Sequence, residues 1–252
     1  MNKTILITGA TSGIGEAIAS NFFKKGYPLI LTYRKKSKIK EWQKNNPKYV
    51  KMIKFDLANQ NDLNKICNDI KKAKIKFDIL INNAGIYNFK ESINFSFNDL
   101  NSEFMINCFA PVMLSSSFAS QLKKGRKMGK IINITSFASE MPSFGRSIYA
   151  ASKSALKTFT KTLAAELSAL NLATVNGISP GVIPTNINRD IIKKNKKKLL
   201  KPISLKKFGS TDDISNCIEF LISEKSKYIN GTTIDISGGK YLIQNQEDAK
   251  KK

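Results

Sequence analysis

The chain contains no histidine. Every mechanism that relies on an imidazole acid, base or metal ligand is thereby excluded, and proton transfer must fall to another side chain. Cysteine is scarce. Cys67, Cys108 and Cys217 are odd in number, far apart and in no CxxC pattern. They read as buried thiols, neither a disulfide framework nor a metal site. No apolar run approaches the ~18 residues that a bilayer span needs. A strand-like run, Thr4-Ile5-Leu6-Ile7, begins almost at once and leaves no room for a signal peptide, so the expected location is the cytoplasm.

Acidic residues are also short, with 19 Asp and Glu against 42 Lys and Arg, a net charge of +23. Such an excess has two readings: a polyanionic partner, or compositional drift toward Lys and Asn. Lysine is spread along the whole chain, with no basic arm and no aromatic interleaving. The expectation is therefore no nucleic acid and no membrane.

What is present is a regular alternation. Hydrophobic residues make up 41% of the 252, enough for one sizeable core and a single domain over 1–252. Short apolar runs predict strands at Thr4–Thr8, Leu29–Thr32, Val50–Phe55, Ile79–Asn82, Lys130–Thr135, Ala173–Ile178 and Thr233–Ile236. Amphipathic stretches between them predict helices at Gly15–Lys25, Asp62–Lys72, Leu100–Leu122 and Tyr149–Leu170. Strand and helix alternating in this way give an α/β fold, a doubly wound, mostly parallel seven-stranded sheet with helices on both faces. One long irregular segment, 180–210, is expected to close over substrate, and a polar tail follows at 242–252.

The first strand runs into Gly9-Ala10-Thr11-Ser12-Gly13-Ile14-Gly15 and then a helix. Glycines there make the tight turn, admit a pyrophosphate to the backbone and let helix pack on strand, and the helix N-terminus faces the phosphates. Ribose specificity is expected at the end of the second strand. An acid there would favour NAD(H). The chain has Tyr33-Arg34-Lys35-Lys36 instead, and Arg34 can hold a 2′-phosphate, which points to NADP(H). Tyr149 and Lys153 are four residues apart on a predicted helix, hence on one face. An ammonium near the phenol, together with an oxidised nicotinamide, is expected to lower the tyrosine pKa and create an acid and base without histidine.

Taken together, these residues resemble the short-chain dehydrogenase/reductase family in its compact form, over Lys3 to about Tyr241. Gly9, Gly13 and Gly15 match its glycine motif, Asp56 its adenine-ring acid, and Asn82-Asn83-Ala84-Gly85 its NNAG motif. Asn107 matches its helix asparagine, Ser136 its serine, and Pro180-Gly181 its PG motif. Ser12 departs from the Arg or Lys that many NADP-dependent relatives carry there. The resemblance implies a Rossmann-type fold and an NAD(P)-linked oxidoreductase acting on a carbonyl or secondary alcohol. It implies catalytic roles for Asn107, Ser136, Tyr149 and Lys153. Ser136 would bond the substrate oxygen, Tyr149 would donate the proton, Lys153 would hold the nicotinamide ribose, and Asn107 would support a water chain. The cofactor set it implies is Gly9, Thr11, Ser12, Gly13, Ile14, Gly15, Arg34, Asp56, Leu57, Asn83, Ala84, Gly85, Tyr149, Lys153, Pro180, Gly181, Ile183 and Thr185, with no metal.

Within the family, the 3-oxoacyl-carrier-protein reductases are the nearest in pattern, and Lys123-Lys124-Gly125-Arg126-Lys127 would suit their acidic partner. The region before the sixth strand, Ala169–Leu172, lacks a second basic contact, so a sugar or other small alcohol stays open as the alternative. Glu140, Met141, Phe144 and Arg146 are candidates for the substrate wall, and Arg146 could pair with a carboxylate or phosphate. A homotetramer or homodimer is implied as well. Phe109, Val112, Met113, Phe118, Phe159, Leu163 and Leu167 supply the expected apolar surface.

Overall fold

Residues Ile5–Ile7 form an inner strand, β1, in which consecutive side chains serve opposite faces of the sheet. Leu6 enters one hydrophobic cluster, while Ile5 and Ile7 enter the other. That double burial explains why the run is apolar throughout. The computed structural model describes residues 3–34, 45–46, 48–125, 127–186, 188–240 and 242. Beside β1 lie β2 (Leu29–Tyr33), β3 (Val50–Lys54), β4 (Ile79–Asn82), β5 (Gly129–Ile134), β6 (Ala173–Pro180) and β7 (Thr233–Ile236). The order across the sheet is β3-β2-β1-β4-β5-β6-β7, and every strand pairing is parallel. The sheet is thus wholly rather than mostly parallel. Its order reverses between β1 and β4, and ligands of such sheets bind in the crevice outside the strand carboxyl ends at that point.

The helices among the described residues are α1 (Gly13–Lys24), α2 (Gln60–Lys71), α3 (Phe97–Phe104), α4 (Ala110–Gly125), α5 (Ser147–Ala169), α6 (Arg189–Lys194), α7 (Lys196–Leu200) and α8 (Thr211–Ile222). Helices α1 and α8 cover one face, with Ile18, Phe22, Ile214, Ile218 and Leu221 against the sheet. Helices α2, α4 and α5 cover the other, where Phe118 stacks on Phe77 at 4.4 Å. Ser96 and Ser210 start α3 and α8 with reciprocal capping boxes to Asp99 and Asp213. The irregular 180–210 segment contains two short helices, α6 and α7, and ends on the Ser210 cap.

The expected helix Leu100–Leu122 proves to be two. Helices α3 and α4 join through a π-helical turn, Met105–Phe109, that accommodates an extra residue in the helix. Two residues expected on an outer apolar face are in the core: Phe118 is fully buried and Leu167 nearly so. Phe109, Met113 and Phe159 are exposed as expected. Cys67 and Cys108 are buried, whereas Cys217 is only partly so. No described helix is long and apolar enough to cross a membrane.

Candidate active site

The glycine turn between β1 and α1 is shaped by positive φ angles at Gly9 and Gly13 (64° and 59°), which disfavour any other residue. Gly15 is required for a different reason. A Cβ there would lie 2.3 Å from the Gly9 carbonyl oxygen and from Asn83 Nδ2. Thr8 and Asn83 lock this turn to the end of β4. Thr8 Oγ1 accepts from the Asn83 and Ala84 N–H groups at 3.0 and 3.1 Å, and Asn83 Nδ2 donates to the Thr8 and Gly9 carbonyls at 3.0 and 3.2 Å. Ser12, at the N-cap of α1, makes no side-chain cap. A bare, glycine-lined helix N-terminus of this kind suits a pyrophosphate, so the residues present fit a dinucleotide. Thr11 and Ser12 lie on its open side, while Ile14 packs against the core.

At the ends of β2 and β3 an open cleft of about 410 Å³ is lined by Arg34, Lys54, Phe55, Asp56 and Asp62. Lys54 was not foreseen, although it stands in register with Tyr33 across the strand pair. Lys35 and Lys36 lie outside the described residues, as do Arg126, Tyr241 and 243–252. The Leu57 side chain is buried in the core beside Phe55, so only its backbone faces this side. On the opposite flank, a Cβ on Gly181 would sit 2.7 Å from Ser237 Cα, which keeps the Pro180-Gly181 turn against β7's end. Ile183 is buried. Thr185 is held by Asn188, whose Oδ1 accepts from the Thr185 N–H at 2.7 Å and whose Nδ2 donates to the Ile183 carbonyl at 3.0 Å. Asn188 is a second residue that the sequence did not flag.

Between these flanks the structure brings the four expected catalytic residues together. Ser136 follows β5, and its Oγ accepts from the Ala138 N–H at 3.1 Å. Tyr149 and Lys153 rise on the first turns of α5. Asn107 comes from the π-helical turn. Its Oδ1 accepts from the Ile86 N–H, and its Nδ2 donates to the Ile86 carbonyl and Ser152 Oγ, all within 3.0 Å. Gly85 is the floor they share. A Cβ there would lie 3.2 Å from Asn107 Oδ1 and 3.3 Å from Lys153 Nζ.

Burial dominates the electrostatics. It pushes the Tyr149 phenol above its ordinary pKa, against the Ser136 hydroxyl and the Arg146 charge, while Glu103 adds to the upward push. The expected lowering is therefore absent with the protein's own groups alone. Lys153 is turned to the Ile134 carbonyl at 2.8 Å, and its nitrogen stands 6.0 Å from the Tyr149 ring centroid. The phenol is held protonated, the form that donates. Burial also lowers Lys153 to about 8 and raises the Cys108 thiol to about 11. Glu103 was likewise missed. One turn ahead of Asn107, it is nearly fully buried. Its Oε1 accepts from the Asn88 N–H at 2.9 Å and its Oε2 has no hydrogen-bond partner. Among the described residues, no group of three or more Cys, Asp or Glu side chains is arranged to hold a metal ion.

The short chain dehydrogenase family matches residues 3–196. The chain belongs to that family. A 3-oxoacyl-(acyl-carrier-protein) reductase FabG of Buchnera aphidicola subsp. Schizaphis graminum is 35% identical over 244 residues, spanning 95% of this chain and 98% of that one. The FabG protein of Aquifex aeolicus is 31% identical, spanning 95% and 97%. Among solved structures, a 4-hydroxyisoleucine dehydrogenase complexed with NADH superposes with a TM-score of 0.91 at 32% identity, covering 96% of this chain and 100% of that one. L-sorbose reductase from Gluconobacter frateurii, complexed with NADPH and L-sorbose, gives 0.85 at 27% identity, covering 96% and 98%. This short-chain dehydrogenase is an NAD(P)-dependent oxidoreductase on a Rossmann-like sheet.

Proposed function

We propose that the protein is an NADP(H)-preferring reductase of a carbonyl substrate, running through Ser136, Tyr149, Lys153 and Asn107. The observation that carries this reading is Tyr149 beside Ser136, with Lys153 and Asn107 meeting over Gly85. The glycine turn, Asp56, the Asn83–Gly85 turn and the Pro180–Thr185 segment would hold the dinucleotide, which would supply hydride when bound. Ser136 Oγ and Tyr149 Oη receive the substrate oxygen, and Tyr149 passes it a proton as the alkoxide forms. Lys153 then stabilises the phenolate left behind. The 180–210 segment covers the substrate.

Arg34 and Lys54 at the adenosine cleft, with no acid at Tyr33, support NADP(H) over NAD(H). The relatives' names support a 3-oxoacyl thioester on an acidic carrier protein, with exposed Lys123, Lys124 and Lys127 as the docking charges. The likeness to L-sorbose reductase and 4-hydroxyisoleucine dehydrogenase supports the alternative, a small carbonyl or alcohol. Exposed Phe109, Met113 and Phe159 support a homotetramer or homodimer.

The test has two arms. Fluorescence titration of NADPH and NADH should show NADPH binding at least tenfold tighter, since a charge-assisted contact to phosphate contributes ~1.5–3 kcal/mol. Arg34→Ala should remove most of that preference. A screen of acyl thioesters, keto acids, ketones and sugars, read by NADPH absorbance, should find turnover. Equal or tighter NADH binding contradicts the cofactor assignment, and a screen with no turnover contradicts the reductase.

A further inference from the structure

Arg146 is an arginine beside the reaction centre. It stands three residues before Tyr149, and its guanidinium lies 4.5 Å above the Tyr87 ring. Tyr87 in turn meets the Tyr149 ring edge-on, with centroids 5.6 Å apart. The backbone around Arg146 is pinned. The Lys90 N–H donates to the Gly145 carbonyl at 3.1 Å, and Gly145, at φ 72°, lies against the Phe89 ring where any Cβ would collide. Phe89 also contacts Phe144. The turn that carries Arg146 is thus clamped, and its exposed side chain reaches over Tyr87.

The acids of this neighbourhood are engaged elsewhere. Glu140 pairs with Lys157, Asp99 with Lys90, and Glu103 is buried under the Asn88 N–H. Among the described residues no ion pair involves Arg146. A guanidinium held over an aromatic ring still carries N–H groups able to bond two oxygens. A second cation, Lys240, lies over the Phe137 ring at 5.0 Å, next to Ser136. After burial and the Ser136 hydroxyl, the Arg146 charge is the next influence on the Tyr149 phenol, so it is felt at the reacting hydroxyl.

We propose that Arg146 binds a carboxylate carried by the substrate, which makes the substrate class a short keto or hydroxy acid. This rests on the reductase reading above and narrows it. The anion site is only two ring contacts from Tyr149, so the carboxylate lies a few bonds from the reacting carbon. A carrier-bound thioester, whose phosphate sits at the far end of a long arm, does not fit that distance.

The experiment uses the NADPH-loaded Tyr149→Phe protein, which binds without turnover, and measures calorimetric binding of 4-oxopentanoate and its methyl ester. The acid should bind at least about tenfold tighter than the ester, the size of one charge-assisted contact. Adding Arg146→Gln, which keeps hydrogen bonding but removes the charge, should abolish the difference. Acid and ester binding alike, or not at all, overturns the proposal, as does a preference that survives Arg146→Gln. Failure of the reductase reading shows differently. There the acid binds through Arg146 while the wild type turns over no carbonyl in the NADPH screen.

Discussion

Two buried lysines touch opposite ends of β5, and the molecule treats them differently. Lys130, near the strand's start, sends its ammonium to the Leu221 carbonyl at 3.1 Å, the Ser223 carbonyl at 3.0 Å and Ser226 Oγ at 3.4 Å. Two of these acceptors terminate α8, where a helix dipole favours a cation. Lys153, at the strand's far end, has the single Ile134 carbonyl at 2.8 Å. Burial lowers the pKa of both, and it takes Lys153 to about 8. One end of the sheet surrounds its charge with acceptors and holds the fold together. The other leaves its charge short of partners, at the place where a substrate and a dinucleotide are proposed to arrive. Strain of this sort is expected where function competes with stability.

The largest expected effect belongs to the site end. Tyr149→Phe keeps the ring and its edge contact with Tyr87, and no histidine exists to replace the lost hydroxyl. Turnover should fall by ~10²–10⁴-fold with cofactor affinity nearly unchanged. Steady-state rates and a cofactor titration check this, and retention of a tenth of the wild-type rate, with chemistry limiting, removes Tyr149 as the acid. Ser136→Ala should follow with a smaller loss of turnover and little change in cofactor affinity, measured in the same assay.

The smallest expected effect concerns Glu103. Its carboxyl is pushed above the ordinary value, chiefly by burial. The folded state therefore holds the proton more tightly than the unfolded chain. Stability falls as pH rises from the unfolded pKa through the raised folded one, and the loss persists above it. Glu103→Gln keeps an acceptor for the Asn88 N–H and removes the charge. It should melt a few degrees higher than wild type at neutral pH, with the gap closing near pH 4. Thermal scans across that range decide it; a variant that melts lower at neutral pH assigns Glu103 a different role.

Much of this was legible beforehand. Strands β4 and β7 fall on the predicted residues, because short apolar runs bounded by turn residues have few other places to go. The glycine turn, Asn83, Ser136, Tyr149 and Lys153 were readable as motifs because each needs a specific residue type. The π-helical turn at Asn107 was not. One extra residue in a long helical stretch barely disturbs a 3.6-residue pattern, yet it helps place Asn107 toward Gly85. Nor could periodicity say which apolar side of α4 meets the sheet, so Phe118 was assigned outward while it stacks on Phe77. The direction of the Tyr149 shift with the protein's own groups alone was not legible for a third reason. Spacing puts Lys153 on the same helix face as Tyr149, but burial and the pull of the Ile134 carbonyl depend on the sheet behind it.

The contrast between the two lysines is tested most directly by one paired measurement, the chemical unfolding of Lys130→Met and Lys153→Met in the absence of cofactor at pH 7 and pH 10. Lys130→Met removes the ammonium's contacts to three acceptors and should lose ~1–3 kcal/mol at pH 7. Lys153→Met should gain ~1–3 kcal/mol there, because wild type must keep a buried charge whose pKa has fallen to about 8. That cost is present below pH 8 and is relieved as pH rises toward the unfolded value, so the Lys153→Met gain should shrink by pH 10. The same variant should bind NADPH more weakly. If Lys153→Met is less stable than wild type at pH 7, or both variants shift in the same direction, the division between a fold-holding end and a reaction end is contradicted.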